Sequence, residues 1–313
     1  MSNPSKSPTR IDICICTYRR PHLAQTLRSL CALDLPDGSV VSVVVADNDT
    51  QPSARELVGT VSPDLPFRLR YIHCPASNIS LARNACLDAA EGDFLAFVDD
   101  DSTVSPQWLA GLVETARDTG ADAVLGPVRA IYPPSAPAWM RRGDFHSTEP
   151  VWVDGEIRTG YSGNVLLRRA SPHVEGRCFD PALGRTGGED TEYFSQLHRS
   201  GGRIAYARDA VVDEPVIAGR ACFSWLAKRR FRSGQTHGRL LAQSHLRLTQ
   251  AGLAAAKAAF SFCAALVFVA IPDRRNRQVL RGVMHVGVVG GLLGLREIRL
   301  YGDEPAREQT HAA

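Results

Sequence analysis

Several things are missing from this chain, and each absence narrows its reading. None of its eight cysteines (Cys14, Cys16, Cys31, Cys74, Cys86, Cys178, Cys222, Cys263) forms the C-x-x-C pair of a zinc site. Most sit among apolar neighbours, which predicts buried, reduced thiols and suits a cytosolic protein. No G-x-G-x-x-G follows the first strand-like run, which argues against a dinucleotide-dependent oxidoreductase. Residues 1–10 hold no apolar stretch resembling a secretory signal. Acids almost vanish late in the chain. From Pro215 to Arg296 there are 13 Lys and Arg against one acid, Asp273, although the whole chain carries 36 bases and 33 acids. That asymmetry predicts an anionic partner for the C-terminal third. Because apolar runs interrupt the basic stretch, a lipid surface fits it better than nucleic acid.

What is present is globular: 44% hydrophobic and 22% charged over 313 residues, enough for one large α/β domain plus an appendage. Strand-like and helix-like patterns alternate from the start. Ile11 to Cys16 reads as a buried strand and Pro21 to Leu33 as a helix with Leu23, Leu27, Leu30 and Leu33 at helical spacing. The valine-rich run Val40 to Ala46 is typical of a strand covered on both faces. There follow a helix near Ser53–Val61, a strand near Phe67–Ile72, a helix Ile79–Ala90, a strand Phe94–Val98, a helix Pro106–Thr119 and a strand Ala123–Ala130. Repeated β-α units predict a mainly parallel sheet flanked by helices. Tyr132 to Gly163, rich in Pro, Gly and aromatics, reads as a binding loop; Trp139, Trp152, Tyr161 and Asn164 are candidates to shape an acceptor site.

Three consecutive aspartates, Asp99-Asp100-Asp101, end the apolar run Phe94–Val98. The carboxyl edge of an open α/β sheet is where ligands bind. Strand alternation predicts Asp99 and Asp101 on one side and Asp100 on the other. Paired carboxylates suit Mg²⁺ or Mn²⁺ holding phosphates; the alternative is a solvated turn capping the next helix. Thr17-Tyr18-Arg19-Arg20 and Asp47 lie at the same edge after the first two strands. The first loop leads into a helix N-terminus that favours anions. Asp47 either accepts from a nucleobase or ribose, or closes an Asx turn. Arg83 either meets phosphate or a base, or forms an ion pair. Asp190 begins a helix, as a base or as an N-cap.

Together, Cys14–Arg20, Val45–Asp49, Asn78–Asn84, Val98–Asp101 and Gly188-Glu189-Asp190 stand at spacings similar to the family-2 glycosyltransferases, over roughly residues 10–235. The resemblance implies a GT-A nucleotide-sugar-binding fold at 1–218 and a basic, apolar helical region at 219–313. It further implies that Thr17, Tyr18, Arg19, Asp47, Arg83, Asp99 and Asp100 bind the nucleotide sugar, and that Asp101, with Asp99, holds Mn²⁺ or Mg²⁺. Asp190 would be the general base, with Glu189 beside it. Arg229 and Arg230, within Lys228–Arg232, would support the leaving diphosphate. The C-terminal part resembles bacterial exopolysaccharide transferases of the succinoglycan type. The Q-x-x-R-W form of processive synthases is absent, which predicts single-sugar addition. The expected partners are a nucleotide-sugar donor, UDP-glucose first, and a glycan or polyprenyl-diphosphate-linked acceptor, with no nucleic acid.

Two rival readings accompany this one. Asp99-Asp100-Asp101-Ser102-Thr103 also fits the D-x-D-x-[T/V] pattern of haloacid-dehalogenase-like phosphatases, with Asp99 as nucleophile. A non-catalytic, membrane-docked scaffold of transferase-like fold is the other. The apolar run Ala251 to Ile271 carries only Lys257 as a charge, and Gly282 to Leu295 is a shorter second run, with Arg274, Arg275, Arg277 and Arg281 between them. A buried helix pair is one reading. A membrane-embedded or interfacial appendage at the cytoplasmic face of the inner membrane is the other.

Overall fold

The computed structural model describes residues 8–242 and 246–298, so both ends of the expected 1–218 and 219–313 division lie partly outside the described residues. In chain order the elements are β1 (Thr9–Thr17), α1 (Leu23–Ser29), β2 (Ser39–Asp47), α2 (Arg55–Val61), β3 (Arg68–His73), α3 (Ile79–Ala89), β4 (Phe94–Val98), β5 (Thr103–Val104), α4 (Trp108–Thr119), β6 (Ala123–Leu125), β7 (Val128–Ile131) and α5 (Ala138–Gly143). Then follow β8 (Trp152–Val153), β9 (Glu156–Ile157), β10 (Asn164–Arg168), α6 (Glu189–Arg199), β11 (Ile204–Tyr206), β12 (Val212–Pro215), α7 (Phe223–Leu241), α8 (Arg247–Val267) and α9 (Pro272–Leu292).

The main sheet has seven strands in the order β11-β6-β10-β4-β1-β2-β3. β1, β2, β3 and β4 are mutually parallel, whereas β10 runs antiparallel to both β4 and β6. The sheet is therefore mixed. Its two faces are buried by alternate residues of the same strands, as a strand period of two requires. Ile11, Ile13 and Ile15 pack with Leu23 and Leu27 of α1, Val58 of α2 and Trp108 of α4. Cys14, Val44 and Ala46 face Ala82 and Cys86 of α3 and Tyr193, Phe194 and Leu197 of α6. The first helix-strand units thus match their sequence patterns.

Three expectations change. The stretch Ala123–Ala130 is two strands, because Gly126-Pro127 breaks it: β6 stays in the main sheet while β7 joins a small sheet of order β5-β12-β7. A Cβ at Gly126 would press on the Ala210 carbonyl and the Asn164 side chain, so the chain crosses there only without a side chain. The Tyr132–Gly163 segment is not all loop; it contains α5 and the β8–β9 hairpin. Finally, Arg274, Arg275, Arg277 and Arg281 do not separate two helices but belong to α9 itself.

The helical tail is attached through specific contacts. Met140 and Phe145 near α5, Leu226 of α7 and Leu280 of α9 form one apolar cluster. Beyond it α7 and α9 run side by side with backbones touching: a Cβ at Gly234 would strike the Met284 carbonyl and Gly287, and one at Gly238 would strike the Val288 carbonyl and Gly291. Glycines four apart on both helices allow this approach. α8 packs on α9 through Ala254, Ala258, Ser261 and Ala265, and is the one described helix long and apolar enough to cross a membrane by length and composition.

Candidate active site

The expected residues gather at the carboxyl edge of β1, β2 and β4, joined there by the start of α6 and one face of α7. β4 ends at Val98, and the Ser102 N–H donates to the Asp99 carbonyl at 3.2 Å. The aspartates therefore occupy a turn, not a strand, and strict alternation does not apply to them. They still separate. Asp100 turns toward β1, accepting from the Thr17 hydroxyl at 2.6 Å and the Tyr18 N–H at 3.4 Å. Asp101 lies 3.7 Å from Arg20. Asp99 is pressed against Gly163, where an added Cβ would stand 2.6 Å from its carboxylate. The helix after the turn starts at Trp108, without a side-chain cap from any aspartate.

The loops after β1 and β2 hold each other. Arg19, with φ +53°, donates twice to Asp49 at 2.8 and 2.9 Å, and that hydrogen-bonded guanidinium holds the Asp49 carboxyl down to about 2. Asp47 is fully buried. Its oxygens accept from the Asp49 N–H at 3.1 Å, the Ala54 N–H at 2.8 Å and the Tyr71 hydroxyl at 2.7 Å. The bond from the Asp49 N–H is that of an Asx turn, and Asn48 and Asp49 beside it are buried as well.

α3 is a positioning element. Its N-cap Asn78 accepts from Ser80 and Leu81 N–H and donates to the Pro181 carbonyl at 2.9 Å. Nearly two turns later Asn84 exchanges two hydrogen bonds with Phe179, at 2.8 and 2.9 Å. These clamps fix residues 179–184, and with them the approach to α6. Gly187 and Gly188 then take positive φ of 84° and 89°, conformations suited to glycine. Gly188 is the N-cap, so Glu189 and Asp190 occupy the first turn of α6 and neither is the cap residue.

Arg83 forms a close ion pair with Glu189 Oε1. Its guanidinium also stacks on Phe179, 5.4 Å from the ring centre. Glu189 Oε2 is buried with no partner among the described residues. Burial alone would lower the Arg83 pKa, but the carboxylates of Glu189, Asp190 and Asp99 together raise it. Asp190 is pushed up to about 6 by burial and then by the charge of Glu189, with Arg83 opposing. The Thr191 N–H donates to its Oδ1 at 2.6 Å.

On the other side of the aspartates, burial and the charges of Asp101 and Asp99 push Glu214 of β12 up to about 7. Arg229 helps to line a pocket with Glu214, Arg220, Trp225 and His146. Arg230 is not among the residues lining that pocket; it is half-buried, and burial, then the charges of Arg229 and Arg277, lower its pKa. Arg232 lies instead where a Cβ on Gly187 would be, and its charge reaches Asp190. Helical geometry explains the difference, since residues one apart point about 100° away from each other and those three apart share a face. Arg20, Glu214 and Arg232 are thus site residues the sequence reading left out of its site set. Trp139 and Asn164, by contrast, are packed: Trp139 against Phe145 and Asn164 as a buried partner of Trp108.

The donor set fits a hard divalent cation. Among the described residues no group of three or more His, Cys, Asp or Glu side chains is arranged to hold a metal ion, but Asp99, Asp100 and Glu214 are all pushed upward by burial and then by neighbouring carboxylates. Carboxylates crowded in this way around Asp101 would be eased by a divalent cation, which would supply charge neutralisation there.

A profile described as "Glycosyl transferase family 2" matches residues 12–173. The chain is 59% identical over 305 residues to succinoglycan biosynthesis protein ExoM of Rhizobium meliloti (strain 1021), covering 96% of this chain and 98% of that one. It is 25% identical over 249 residues to a glucosyl-dolichyl phosphate glucuronosyltransferase of Haloferax volcanii, covering 72% and 75%. In three dimensions it is similar to the mannosyltransferase PcManGT from Pyrobaculum calidifontis in complex with GDP-Man and Mn²⁺, with a TM-score of 0.63 and 18% identity over 92% of this chain and 88% of that one. The aspartate turn after the fourth strand thus sits within a GT-A frame, which leaves the phosphatase reading without support, and the chain belongs to glycosyl transferase family 2 and is a glycosyltransferase.

Proposed function

We propose that this enzyme adds one sugar, with inversion, from a nucleotide-sugar donor to a lipid-linked glycan in the assembly of a succinoglycan-like exopolysaccharide. The observation that carries the reading is the pairing of two carboxylate groups of different character at one sheet edge: the Asp99–Asp101 turn and the Glu189-Asp190 helix start, with Arg83 between them. The extent of similarity to the ExoM protein supports the pathway, and UDP-glucose is the first donor to test.

Thr17, Tyr18 and Arg19 would line the nucleotide, and Asp101 with Asp99 would hold Mn²⁺ or Mg²⁺ against its diphosphate. When bound, that ion supplies charge neutralisation for the departing nucleoside diphosphate. The chain's own cations add to it: Arg20, Arg229 and Arg232 converge from the β1 loop and α7, where negative charge develops on the leaving group. The Asp190 carboxylate, half-buried and poised near neutral pH, accepts the proton of the acceptor hydroxyl. The hydroxyl oxygen then attacks the anomeric carbon opposite the breaking carbon–oxygen bond, whose electron pair leaves with the diphosphate. Arg83 and Glu189 hold the start of α6 in place for that step.

The basic and apolar C-terminal helices support association with the cytoplasmic face of the inner membrane, where a polyprenyl-diphosphate-linked acceptor is presented. The test is a panel of sugar nucleotides, assayed for acceptor-dependent nucleoside diphosphate release with Mn²⁺ and with lipid-linked glycans. Release from one donor with a lipid-linked acceptor is expected. Equal release with free sugars as acceptors would remove the lipid-linked part of the reading.

A further inference from the structure

α8 is arranged the opposite way from a helix designed for water. Its small residues, Ala254, Ala258, Ser261 and Ala265, are buried against α9, while its large apolar residues point outward: Leu253 is 57% exposed, Phe260 71%, Leu266 75% and Val267 78%. A stripe of large apolar side chains on a surface marks an interaction face, and small residues at the helix–helix contact are the usual packing in lipid.

Along this face, α8 and α9 enclose a groove of about 250 Å³ lined by Leu253, Ala256, Phe260, Lys257, Arg281 and His285. α8 lines it with apolar side chains and Lys257, and α9 with Arg281 and His285. Neither Lys257 nor Arg281 pairs with a carboxylate among the described residues, since Asp273 pairs with Arg142 and Glu297 with Arg239. His285 Nε2 is buried with no hydrogen-bond partner among the described residues. Its pKa is lowered by burial, then by the charges of Lys257 and Arg281. Positive groups collected in this way, with no acid among them, fit an anion, and the adjoining apolar face fits a hydrocarbon chain.

Resting on the membrane-associated reading above, we propose that this groove seats the phosphate headgroup of an anionic phospholipid, so that α8 lies in the plane of the bilayer surface rather than across it. The neighbours of α8 decide its orientation. α8 is packed on α9, and α9 touches α7 backbone to backbone through Gly234, Gly238, Gly287 and Gly291. α7 carries Lys228, Arg229, Arg230, Arg232 and Arg239. A crossing α8 would draw this charged bundle into hydrocarbon, which is strongly unfavourable. Laid flat, α8 sinks its outer face among acyl chains while Lys257 and Arg281 remain at headgroup level.

The test uses the full chain and flotation with phosphatidylcholine vesicles, with and without phosphatidylglycerol. Binding is expected with phosphatidylglycerol and to be much weaker without it. Lys257→Gln/Arg281→Gln is expected to weaken it about 25-fold, from roughly a fivefold contribution per surface cation, with an unchanged melting temperature because both side chains are exposed. Phe260→Ser is expected to weaken binding while leaving its dependence on phosphatidylglycerol intact. Alkaline carbonate is expected to release the protein, as suits a helix that does not span. Equal binding to both vesicles, or unchanged binding by the double variant, overturns the headgroup site while leaving membrane association standing. Inorganic phosphate that fully competes at millimolar concentration would assign the groove to free phosphate and overturn the lipid occupant. Retention after carbonate overturns the in-plane orientation, and no binding to either vesicle overturns the membrane reading as well.

Discussion

Removing the Arg83 cation should cost stability through the carboxylates it leaves behind. The Arg83 side chain is 10% exposed and that of Glu189 8%, so neither charge is solvated by water in the folded state. Arg83→Met keeps much of the side-chain volume and the contact with Phe179 but leaves Glu189 buried without its partner, beside Asp190 and Asp99. Breaking one side of a buried pair typically costs about 3–5 kcal/mol, whereas replacing both sides with neutral groups is often close to neutral. Arg83→Met is therefore expected to lose about 3–5 kcal/mol in urea unfolding at neutral pH, and Arg83→Met/Glu189→Gln to recover most of it. The loss should shrink on acidification, as the carboxylate cluster takes up protons. Activity should not follow stability: both variants disturb the placement of Asp190 and should remain slow. A single variant that loses under about 1 kcal/mol, or a double variant as unstable as the single, would refute the view that Arg83 is there to balance buried charge.

Three further outcomes follow from the same geometry. Asp190 is raised to about 6 and must be ionised to accept a proton, so kcat/KM should fall about tenfold per pH unit below that value, measured in buffers where the fold is intact; a flat profile down to pH 5 contradicts the assignment. Asp100 and Glu214 both have pKa values raised to about 7, so the native state binds protons more tightly than the unfolded chain. Chelated protein should therefore be more stable near pH 5.5 than near pH 7.5, with Mn²⁺ plus nucleoside diphosphate reducing that difference, as thermal melts would register. Gly234→Val would drive a side chain into the Met284 carbonyl and Gly287; overpacking of this kind costs about 1–3 kcal/mol, and because α7 also carries Arg229 and Arg232, transfer should fall together with the melting temperature.

The sequence was most legible where local pattern and burial coincide. β1 and β2 are read directly from Ile11–Cys16 and Val40–Ala46 because both faces of each strand are covered, so nearly every position is apolar. The site motifs were found because each follows a strand at the same edge. Legibility failed where a long-range contact decides the outcome. Asp47 looks identical in sequence whether or not it closes a turn, and only the fold shows the Asp49 N–H and, from the next strand, the Tyr71 hydroxyl donating to it. Nothing near Glu214 marks it, since β12 is only four residues long and acquires its position by pairing with β5 and β7. Of the arginine run, helix phase alone selects Arg229 and Arg232 over Arg230, and that phase depends on where α7 begins. The arginines between the two apolar runs do not mark the start of α9, because their charge breaks the apolar pattern of a helix that begins at Pro272.

The central claim is a division of labour between the two acidic groups, and Asp190→Asn tests it directly. The variant keeps the shape of the α6 start but cannot accept a proton. With the active donor, Mn²⁺ and a lipid-linked acceptor, donor binding measured by calorimetry should stay within about twofold of the native enzyme, while sugar transfer falls by about 10²–10⁴. Transfer at the native rate, or loss of donor binding in parallel with transfer, would contradict the account.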